Sequence, residues 1–197
     1  MQTVRLVLGL GNPGAEYVGT RHNVGFEVVD CLANRWGCVF RPKARFAAEV
    51  AEHGAVWLAK PQTYMNLSGR SVAALLGWWK LSPSEMLVVM DDADLPLGRI
   101  KVLASGGSGG HNGLRSIIEA LGGTESFPRV RLGIGRQSAP GAGDLSEHVL
   151  GRFTDAERPV ARAMIERAAA AVETVLRHGL ARAMNEFNRK VSEGVTG

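Results

Sequence analysis

The chain has 197 residues, of which 45% are hydrophobic and 21% are charged, and its formal net charge is +4. This balance is typical of a globular domain that can bury a core without disulfides or metals. The 25 glycines fall in clusters rather than repeats, which indicates sharp turns and not a fibrous chain. The small positive charge weakly favours an anionic partner such as a nucleic acid.

The two cysteines and the absence of a leader bear on the cellular compartment. Cys31 and Cys38 would lie about 10 Å apart on a shared helix, too far for a disulfide. We therefore expect two buried thiols in a reducing compartment. The first residues do not show the charged segment and the following apolar segment of a signal peptide. No run of about 18 apolar residues, the length of a transmembrane helix, occurs. The sequence predicts a cytoplasmic protein.

Short apolar runs alternate with helical periodicities along the chain. The predicted strands are Val4–Gly9, Phe46–Ala51, Ala55–Lys60, Met86–Met90, Ile100–Leu103 and Arg129–Ile134. The predicted helices run from Val24 to near Gly37, over Asn66–Leu81 and Leu114–Leu121, from Asp155 to about Arg177, and over Ala181–Lys190, with a flexible loop at Gln137–Gly143. This alternation predicts one α/β domain over residues 1–197, a three-layer α/β/α fold with a twisted, mixed, mainly parallel sheet.

The first polar segment, Gly9–Gly14, follows the first predicted strand and matches the glycine fingerprint of dinucleotide-binding proteins. That fingerprint needs a helix that begins inside the glycine turn and faces the pyrophosphate. Here Ala15–Thr20 intervenes, and Asp30 falls inside a helix, where it cannot hold a ribose. A dinucleotide-binding enzyme is therefore the weaker interpretation, and a tight turn that presents Asn12 is the stronger one.

His22 and Asn23 stand at the predicted start of the first helix, after a polar loop that contains Tyr17. A lone histidine at such a place is usually a helix-terminal or core residue. The functional alternative is a histidine paired with a carboxylate, and Asp91 at the end of a predicted strand is available for that pairing.

Pro61–Gly69 leaves a strand and enters a helix. Asn66 and Ser68 can cap that helix with their side chains. The functional alternative is a carboxamide whose donor and acceptor both face a pocket. The sequence leaves both interpretations open.

Three carboxylates, those of Asp91, Asp92 and Asp94, follow the buried strand Met86–Met90. Open α/β sheets hold their ligands at such strand ends. These carboxylates could bind Mg²⁺, or one of them could orient a histidine. Because the spacing is not that of an EF-hand loop and no zinc motif occurs, the metal is the weaker alternative.

Gly106–Gly113 is a glycine-rich run before a predicted helix. It is not a Walker loop, because no Gly-Lys-Ser/Thr follows, and the nucleophile elbow of serine hydrolases is absent from the chain. The run predicts a mobile flap whose backbone N–H groups approach an anion or an ester.

Together these segments resemble the bacterial peptidyl-tRNA hydrolase family. The resemblance rests on VLGLGNPGAEYVGTRHNVGFEVVD (Val7–Asp30), KPQTYMNLSG (Lys60–Gly69), Asp91–Gly98, Gly106–Gly113 and RVRLGIG (Arg129–Gly135), in the family's order and spacing. It covers nearly the whole chain and thins after about residue 150. Each segment is weak alone, but their combination is highly specific.

The resemblance implies a cofactor-free enzyme that hydrolyses the ester between a peptide, or an N-blocked amino acid, and the 3′ ribose of tRNA. It implies that His22 is the general base and that Asp91 holds its imidazole in the productive tautomer. Asn12 is similar to the residue that distinguishes blocked from unblocked aminoacyl ends. Four further residues match positions that contact the tRNA 3′ end and the peptide: Tyr17, Tyr64, Asn66 and Asn112.

By the same resemblance, Lys101 and Arg131 correspond to basic positions near the tRNA 5′ phosphate, whereas the family's second clamp lysine falls on Leu103. A positioned water and a His–Asp pair can cleave an activated ester without a metal or a covalent nucleophile. The expected partner is peptidyl-tRNA, with no metal and no membrane. We expect a monomer that recycles tRNA in translation and ribosome rescue. The other alternative is a non-catalytic RNA-binding protein on the same fold.

Overall fold

The computed structural model describes residues 3–136 and 144–189, which form seven strands and six α-helices. The strands are β1 (Leu6–Gly9), β2 (Arg41–Lys43), β3 (Ala48–His53), β4 (Val56–Pro61), β5 (Met86–Asp92), β6 (Ile100–Leu103) and β7 (Arg129–Gly133). The helices are α1 (Val24–Trp36), α2 (Ser68–Trp79), α3 (Asn112–Ala120), α4 (Leu145–Leu150), α5 (Arg158–His178) and α6 (Leu180–Phe187).

These strands form one sheet in the order β2-β3-β4-β1-β5-β7-β6. The four central strands are parallel, and β3 and β6 run antiparallel to their neighbours. The other five strands share one direction, so the predicted mixed, mainly parallel sheet is confirmed. The carboxyl ends of the central strands meet at one edge, where α/β sheets place their ligands.

Helices cover both faces of the sheet. α1, α5 and α6 pack on one face, and α2 and α3 pack on the other. In β1, Val7 faces the first layer, whereas Leu6 and Leu8 face the second. Such two-sided burial explains the uninterrupted apolar runs of β1 and β5. The predicted three-layer α/β/α arrangement is confirmed.

A close contact between β1 and α1 positions the start of the helix. A Cβ atom on Gly9 would lie only 2.2 Å from the carbonyl oxygen of Gly25 in α1. Glycine at both positions therefore lets the 3-10 turn Arg21–Asn23 lie beside the end of β1. Because α1 begins at Val24, its first turn lies outside the glycine turn that a dinucleotide fingerprint requires.

The predicted strands and helices are present with shifted ends, but two further elements lacked a sequence signal. β2 consists of Arg41-Pro42-Lys43, which has no apolar alternation, and α4 is too short to show a helical period. The predicted loop Gln137–Gly143 lies outside the described residues, as does Lys190 at the end of the last predicted helix.

Cys31 lies in α1 and Cys38 follows it, and both are free thiols. Both are only partly buried, so the prediction of two buried thiols is wrong in degree. The reason is that both face the margin of the core formed by α1 rather than its centre. Among the helices that the structure describes, none has the length and apolar character needed to cross a bilayer.

Candidate active site

A cleft of about 550 Å³ opens at the carboxyl edge of the sheet. It is bounded by the end of β5, the glycine-rich run, α4 and the loops that follow β1 and β4. The structure brings every predicted site residue except Lys101 to this cleft: Asn12, Tyr17, His22, Tyr64, Asn66, Asp91, Asn112 and Arg131.

His22 and Asp91 form a buried pair at the base of the cleft. Nδ1 of His22 lies 2.9 Å from Oδ1 and 3.0 Å from Oδ2 of Asp91. An ionised carboxylate only accepts hydrogen bonds, so the Nδ1–H group of His22 donates to it. This bond leaves Nε2 of His22 with a free lone pair in the cleft. The arrangement suits a proton acceptor.

His111 is a second histidine on the same carboxylate, and the sequence did not identify it. Its Nε2 lies 2.9 Å from Oδ1 of Asp91, and its Nδ1 accepts the backbone N–H of Leu114 at 3.3 Å. These two bonds fix the Nε2–H tautomer and occupy both ring nitrogens. The available signal was its place directly before α3, where a side chain caps the helix.

The carboxylate of Asp91 carries a negative charge that its neighbours stabilise. Burial alone raises the pKa of Asp91, but the charges and hydrogen bonds of His111 and His22 lower it by more. The net result is a pKa well below the ordinary range. Asp91 is therefore ionised at neutral pH and accepts from both imidazoles.

Asn12 is held in one orientation by backbone groups. Its Oδ1 accepts the N–H of Met65 at 2.7 Å, and its own backbone N–H donates to Oδ1 of Asn23 at 2.8 Å. The Nδ2 group of Asn23 returns a hydrogen bond to the Asn12 carbonyl at 3.0 Å. Because only an oxygen can accept from Met65, Nδ2 of Asn12 is left as the donor that faces the cleft.

The rim of the cleft carries the remaining aromatic and amide side chains. Tyr64, with 56% of its surface exposed, and Asn66 lie before α2. Ser68 instead donates from Oγ to the carbonyl of Met65 at 2.8 Å, so it has a structural part. Asn112 accepts from Arg115 at 2.6 Å through Oδ1, which leaves its Nδ2 group as a donor.

Lys101 and Arg131 are direct cross-strand neighbours on β6 and β7. Opposed residues of an antiparallel pair project from the same face of a sheet. Nε of Arg131 lies 2.8 Å from Oδ2 of Asp92, which holds the guanidinium beside the cleft. Lys101 is exposed and lies just outside the cleft, and Leu103 stands opposite Arg129.

Arg129 is a buried cation that attaches the glycine-rich run to the sheet. Its guanidinium donates to three backbone carbonyls, those of Gly107, Glu125 and Phe127. Burial, together with the nearby charge of Arg131, lowers the pKa of Arg129 to about 10. Gly109 and Gly110 of the same run line the cleft, so Arg129 helps to set its shape. The mobility of this run stays a prediction.

Helix α4 supplies an apolar wall that the sequence did not predict, through Leu145, Val149 and Leu150. Arg21 lies beside His22 in the same 3-10 turn. Its side chain joins this turn to the segment that follows α4. Its guanidinium pairs with Glu157 at 2.7 Å and donates to the carbonyl of Arg152 at 2.9 Å. The wall and the histidine are therefore fixed relative to each other.

The chain is similar to peptidyl-tRNA hydrolases over nearly its whole length. A family model described as peptidyl-tRNA hydrolase matches residues 6–194. The peptidyl-tRNA hydrolase of Synechococcus sp. (strain JA-3-3Ab) is 51% identical over 189 residues, which are 94% of this chain and 83% of that protein. The one of Chloroflexus aurantiacus (strain ATCC 29366 / DSM 635 / J-10-fl) is 50% identical over 188 residues, 93% of this chain and 98% of that protein. The crystal structure of peptidyl-tRNA hydrolase from Acinetobacter baumannii has a TM-score of 0.87 at 36% identity and covers 95% of this chain and 96% of that chain.

An ionised aspartate directs a histidine into an open cleft at the ligand-binding edge of a three-layer α/β/α sheet, an arrangement that suits a hydrolase with a general base. The chain belongs to the peptidyl-tRNA hydrolase family. It is therefore an ester hydrolase whose substrate is peptidyl-tRNA, and the resemblance seen in the sequence is confirmed.

Proposed function

We propose that His22 is the general base of the ester hydrolysis. Its Nε2 takes a proton from a water molecule whose oxygen attacks the ester carbonyl carbon. When the bond to the 3′ ribose oxygen breaks, the same imidazole returns the proton to that oxygen. The products are free tRNA and the carboxylic acid of the peptide, which loses its proton to solvent. The observation that carries this proposal is the 2.9 Å contact between Nδ1 of His22 and Asp91, which leaves Nε2 free in the cleft.

Asp91 and His111 have positioning parts in this scheme. Asp91 holds the reactive tautomer of His22 and stabilises the imidazolium that forms during the attack. His111 donates to the same carboxylate at 2.9 Å and keeps it oriented. Because both nitrogens of His111 are engaged, it does not compete with His22 for the proton of the water.

Asn12, Asn66 and Asn112 offer amide donors to the substrate. Nδ2 of Asn12 would donate to the carbonyl oxygen of the amide that blocks the α-amino group. A free α-ammonium would bring a second donor to the same place and lose its hydration without gaining an acceptor. The lost hydration destabilises the bound unblocked substrate by about 2–3 kcal/mol. Asn12 thus supplies discrimination in favour of blocked substrates.

The tRNA end is held by aromatic and cationic side chains at the margin of the cleft. Tyr17 and Tyr64 would contact the 3′ end, while Arg131 and Lys101 would neutralise the 5′ phosphate. We further propose that the chain is one domain over residues 1–197 and acts as a metal-free monomer in the cytoplasm.

Release of free tRNA from N-acetyl-aminoacyl-tRNA, beside the same tRNA with an unblocked amino acid, tests the function directly. We expect rapid release from the blocked substrate and much slower release from the unblocked one. Tight binding of the blocked substrate without release would instead indicate a non-catalytic RNA-binding protein.

A further inference from the structure

A basic and aromatic surface lies at the outer edge of the sheet, where strand β2 meets the end of α2. It consists of Arg41, Lys43, Arg45 and Trp78, which we call the β2 patch. All four residues are exposed. None of these four described residues lines the catalytic cleft. The β2 patch is therefore a surface that the proposed function does not use.

The sheet directs the cations of β2 to the side of α2. Arg41 lies opposite Val50, and Lys43 lies opposite Ala48, in the antiparallel pair of β2 and β3. Opposed residues of such a pair project from the same face. Val50 and Ala48 pack in the core layer beneath α2. Because two positions along a strand span about 7 Å, the two cations stand side by side on the face that α2 covers.

Trp78 and Arg45 form a stacked pair beside these cations. The guanidinium carbon of Arg45 lies over the indole ring, 4.1 Å from its centroid. The buried Phe46 meets the same indole at 6.1 Å in a T-shaped contact. Since these two contacts leave 59% of Trp78 exposed, the other face of its ring is open to solvent. The β2 patch thus presents a flat apolar surface next to three cations.

The turn that presents Arg45 is held by hydrogen bonds. Ala47 has a φ of 45°, in the left-handed region that a residue other than glycine rarely adopts. Its carbonyl accepts the backbone N–H of Gln62 and the hydroxyl of Ser71, each at 2.7 Å. Such a conformation persists only where its surroundings hold it. Arg45 is therefore presented from a fixed backbone, which reduces the entropy lost on binding a ligand.

The positive charge of the β2 patch is largely uncompensated. Within the described part of the chain, none of its three cations forms an ion pair with a carboxylate. Glu49 of β3 lies opposite Pro42, so it projects from the other face, where it pairs with Lys60 at 3.1 Å. Glu52 is the carboxylate of β3 on the face of the patch. Three cations therefore stand against one carboxylate, which favours an anionic ligand.

Protection of the sheet edge explains only part of this surface. Edge strands often carry lysine and proline, which prevent another strand from pairing, and β2 has both. An exposed indole does not serve that purpose, because it adds apolar surface to the edge. Aromatic rings beside cations are instead what single-stranded RNA binds, since its bases stack on the rings and its phosphates pair with the cations.

We propose that the β2 patch binds a single-stranded RNA segment other than the acceptor end of the substrate. One base stacks on the open face of Trp78, and the phosphates on either side of it contact the three cations. The cations assigned to the substrate, Arg131 and Lys101, lie on β7 and β6, at the other end of the sheet. Six strand spacings, about 29 Å, separate β2 from β6. RNA on the patch therefore leaves the cleft free.

A fluorescein-labelled oligouridine of roughly twelve nucleotides tests this binding directly. Fluorescence anisotropy gives its Kd, and quenching of tryptophan emission reports stacking on Trp78. We expect log K to fall with log salt at a slope of about −2, because each of the three neutralised phosphates contributes about −0.7. Lys101→Ala and Arg131→Ala should leave the Kd unchanged, because the patch lies away from both residues.

Variants then assign the binding to the β2 patch. Trp78→Ala should weaken it about tenfold and remove the quenching. Trp78→Phe keeps a ring for stacking, so it should nearly keep the Kd while it loses the quenching. Arg41→Ala and Lys43→Ala should each reduce the salt slope by about 0.7. Arg177→Ala is the matched control, an exposed arginine of α5 on the other side of the sheet.

Three results would overturn the proposal. Absence of binding, or binding that the patch variants leave unchanged, would reduce the cations of β2 to protection of the sheet edge. A raised KM for full-length peptidyl-tRNA in the patch variants would assign the patch to the substrate instead. Polyglutamate that binds as tightly as the oligonucleotide, with the same loss in Trp78→Ala, would indicate an acidic protein partner. Urea unfolding shows that each variant is folded.

Discussion

His22 and His111 share one carboxylate oxygen. Nδ1 of His22 and Nε2 of His111 each lie 2.9 Å from Oδ1 of Asp91, and their ring centroids are 5.1 Å apart. One carboxylate thus fixes the tautomers of two histidines, and only His22 keeps a free nitrogen in the cleft. This asymmetry supports the proposal that His22 is the base and that His111 has a supporting part.

Replacement of His22 should abolish most of the turnover. We expect His22→Ala to lower kcat by about two to four orders of magnitude, the usual size of a general-base contribution. Substrate binding should change far less. Single-turnover hydrolysis of N-acetyl-aminoacyl-tRNA measures both, with His178→Ala, an exposed histidine, as the control. Retention of more than about a third of wild-type turnover would contradict the assignment. Asp91→Asn acts through the same histidine. The loss of kcat in the double variant of His22→Ala and Asp91→Asn should therefore be much smaller than the two single losses combined.

The ionisation of Asp91 makes the free energy of unfolding depend on pH. Burial raises its pKa, but His111 and His22 lower it by more, so the pKa is lower in the folded than in the unfolded protein. Such a group stabilises the fold above its unfolded pKa, and this stabilisation is lost as the pH falls toward the folded pKa. Between about pH 5 and pH 2, the free energy of unfolding should therefore fall more steeply in the wild type than in Asp91→Asn. Urea unfolding at several pH values measures this, with the exposed Asp155→Asn as control. Parallel curves for wild type and Asp91→Asn would count against an ionised Asp91.

Exhaustive chelation should leave the hydrolase activity intact. The ligand atoms of His22, Asp91 and His111 lie within 4.8 Å of one another, a spacing that a metal ion could use. Their nitrogens, however, face the carboxylate at hydrogen-bond distances, so N–H protons already occupy the space between these ligand atoms. Activity is measured after prolonged dialysis against a chelator. An inactive apo-enzyme that Mg²⁺ or Zn²⁺ revives would show that the cluster is a metal centre.

Asn12 should control the choice between blocked and unblocked substrates. Asn12→Ala removes the Nδ2 donor, so the ratio of blocked to unblocked hydrolysis should fall. Asn12→Asp keeps the acceptor for Met65 but replaces the donor with an oxygen that attracts an ammonium, so the ratio should fall further. Parallel assays on acetylated and free aminoacyl-tRNA measure it. A lower overall rate at an unchanged ratio would place Asn12 in catalysis instead.

Lys101 and Arg131 should affect the binding of tRNA rather than the cleavage of the ester. If each contributes the proposed phosphate contact, Lys101→Ala and Arg131→Ala should each raise KM for full-length peptidyl-tRNA and nearly keep kcat. Each should also reduce the slope of log K against log salt by about one unit or less. Lys43→Ala, at the far edge of the sheet, is the control. Neither variant should change the hydrolysis of a substrate that ends at the 3′ adenosine. An equal loss of activity on this short substrate would mean that these residues shape the active site.

The residues that the sequence identified share a recognisable context. His22, Asp91 and Asn12 lie at or near the ends of strands and helices, and parallel strands carry such ends to one edge of the sheet. Periodicity likewise predicted the central strands, because burial on both faces leaves long apolar runs. Local patterns of this kind can be interpreted from the sequence because they depend only on residues that are neighbours in the chain.

The features that the sequence did not reveal depend on distant parts of the chain. His111 matters because its ring reaches Asp91, 20 positions away, and nothing local distinguishes it from an ordinary helix cap. The wall formed by α4 gains its meaning from the cleft beside it. Arg129 is a further case, because an alternating strand pattern suggests an exposed arginine, whereas this one is 1% exposed and bonded to three carbonyls.

The contact between Arg21 and Glu157 joins residues that are 136 positions apart. During synthesis, the turn that carries His22 is made early, whereas the groups that hold it are added much later. A ribosome-bound chain shorter than this segment lacks the carboxylate and the carbonyls that anchor Arg21, so its histidine turn stays unsupported. Contacts of such long range also form late in folding, because the intervening loop must close first. We therefore expect the partly made chain, which is itself a peptidyl-tRNA, to lack the anchors of Arg21 until residues 152 and 157 have been added.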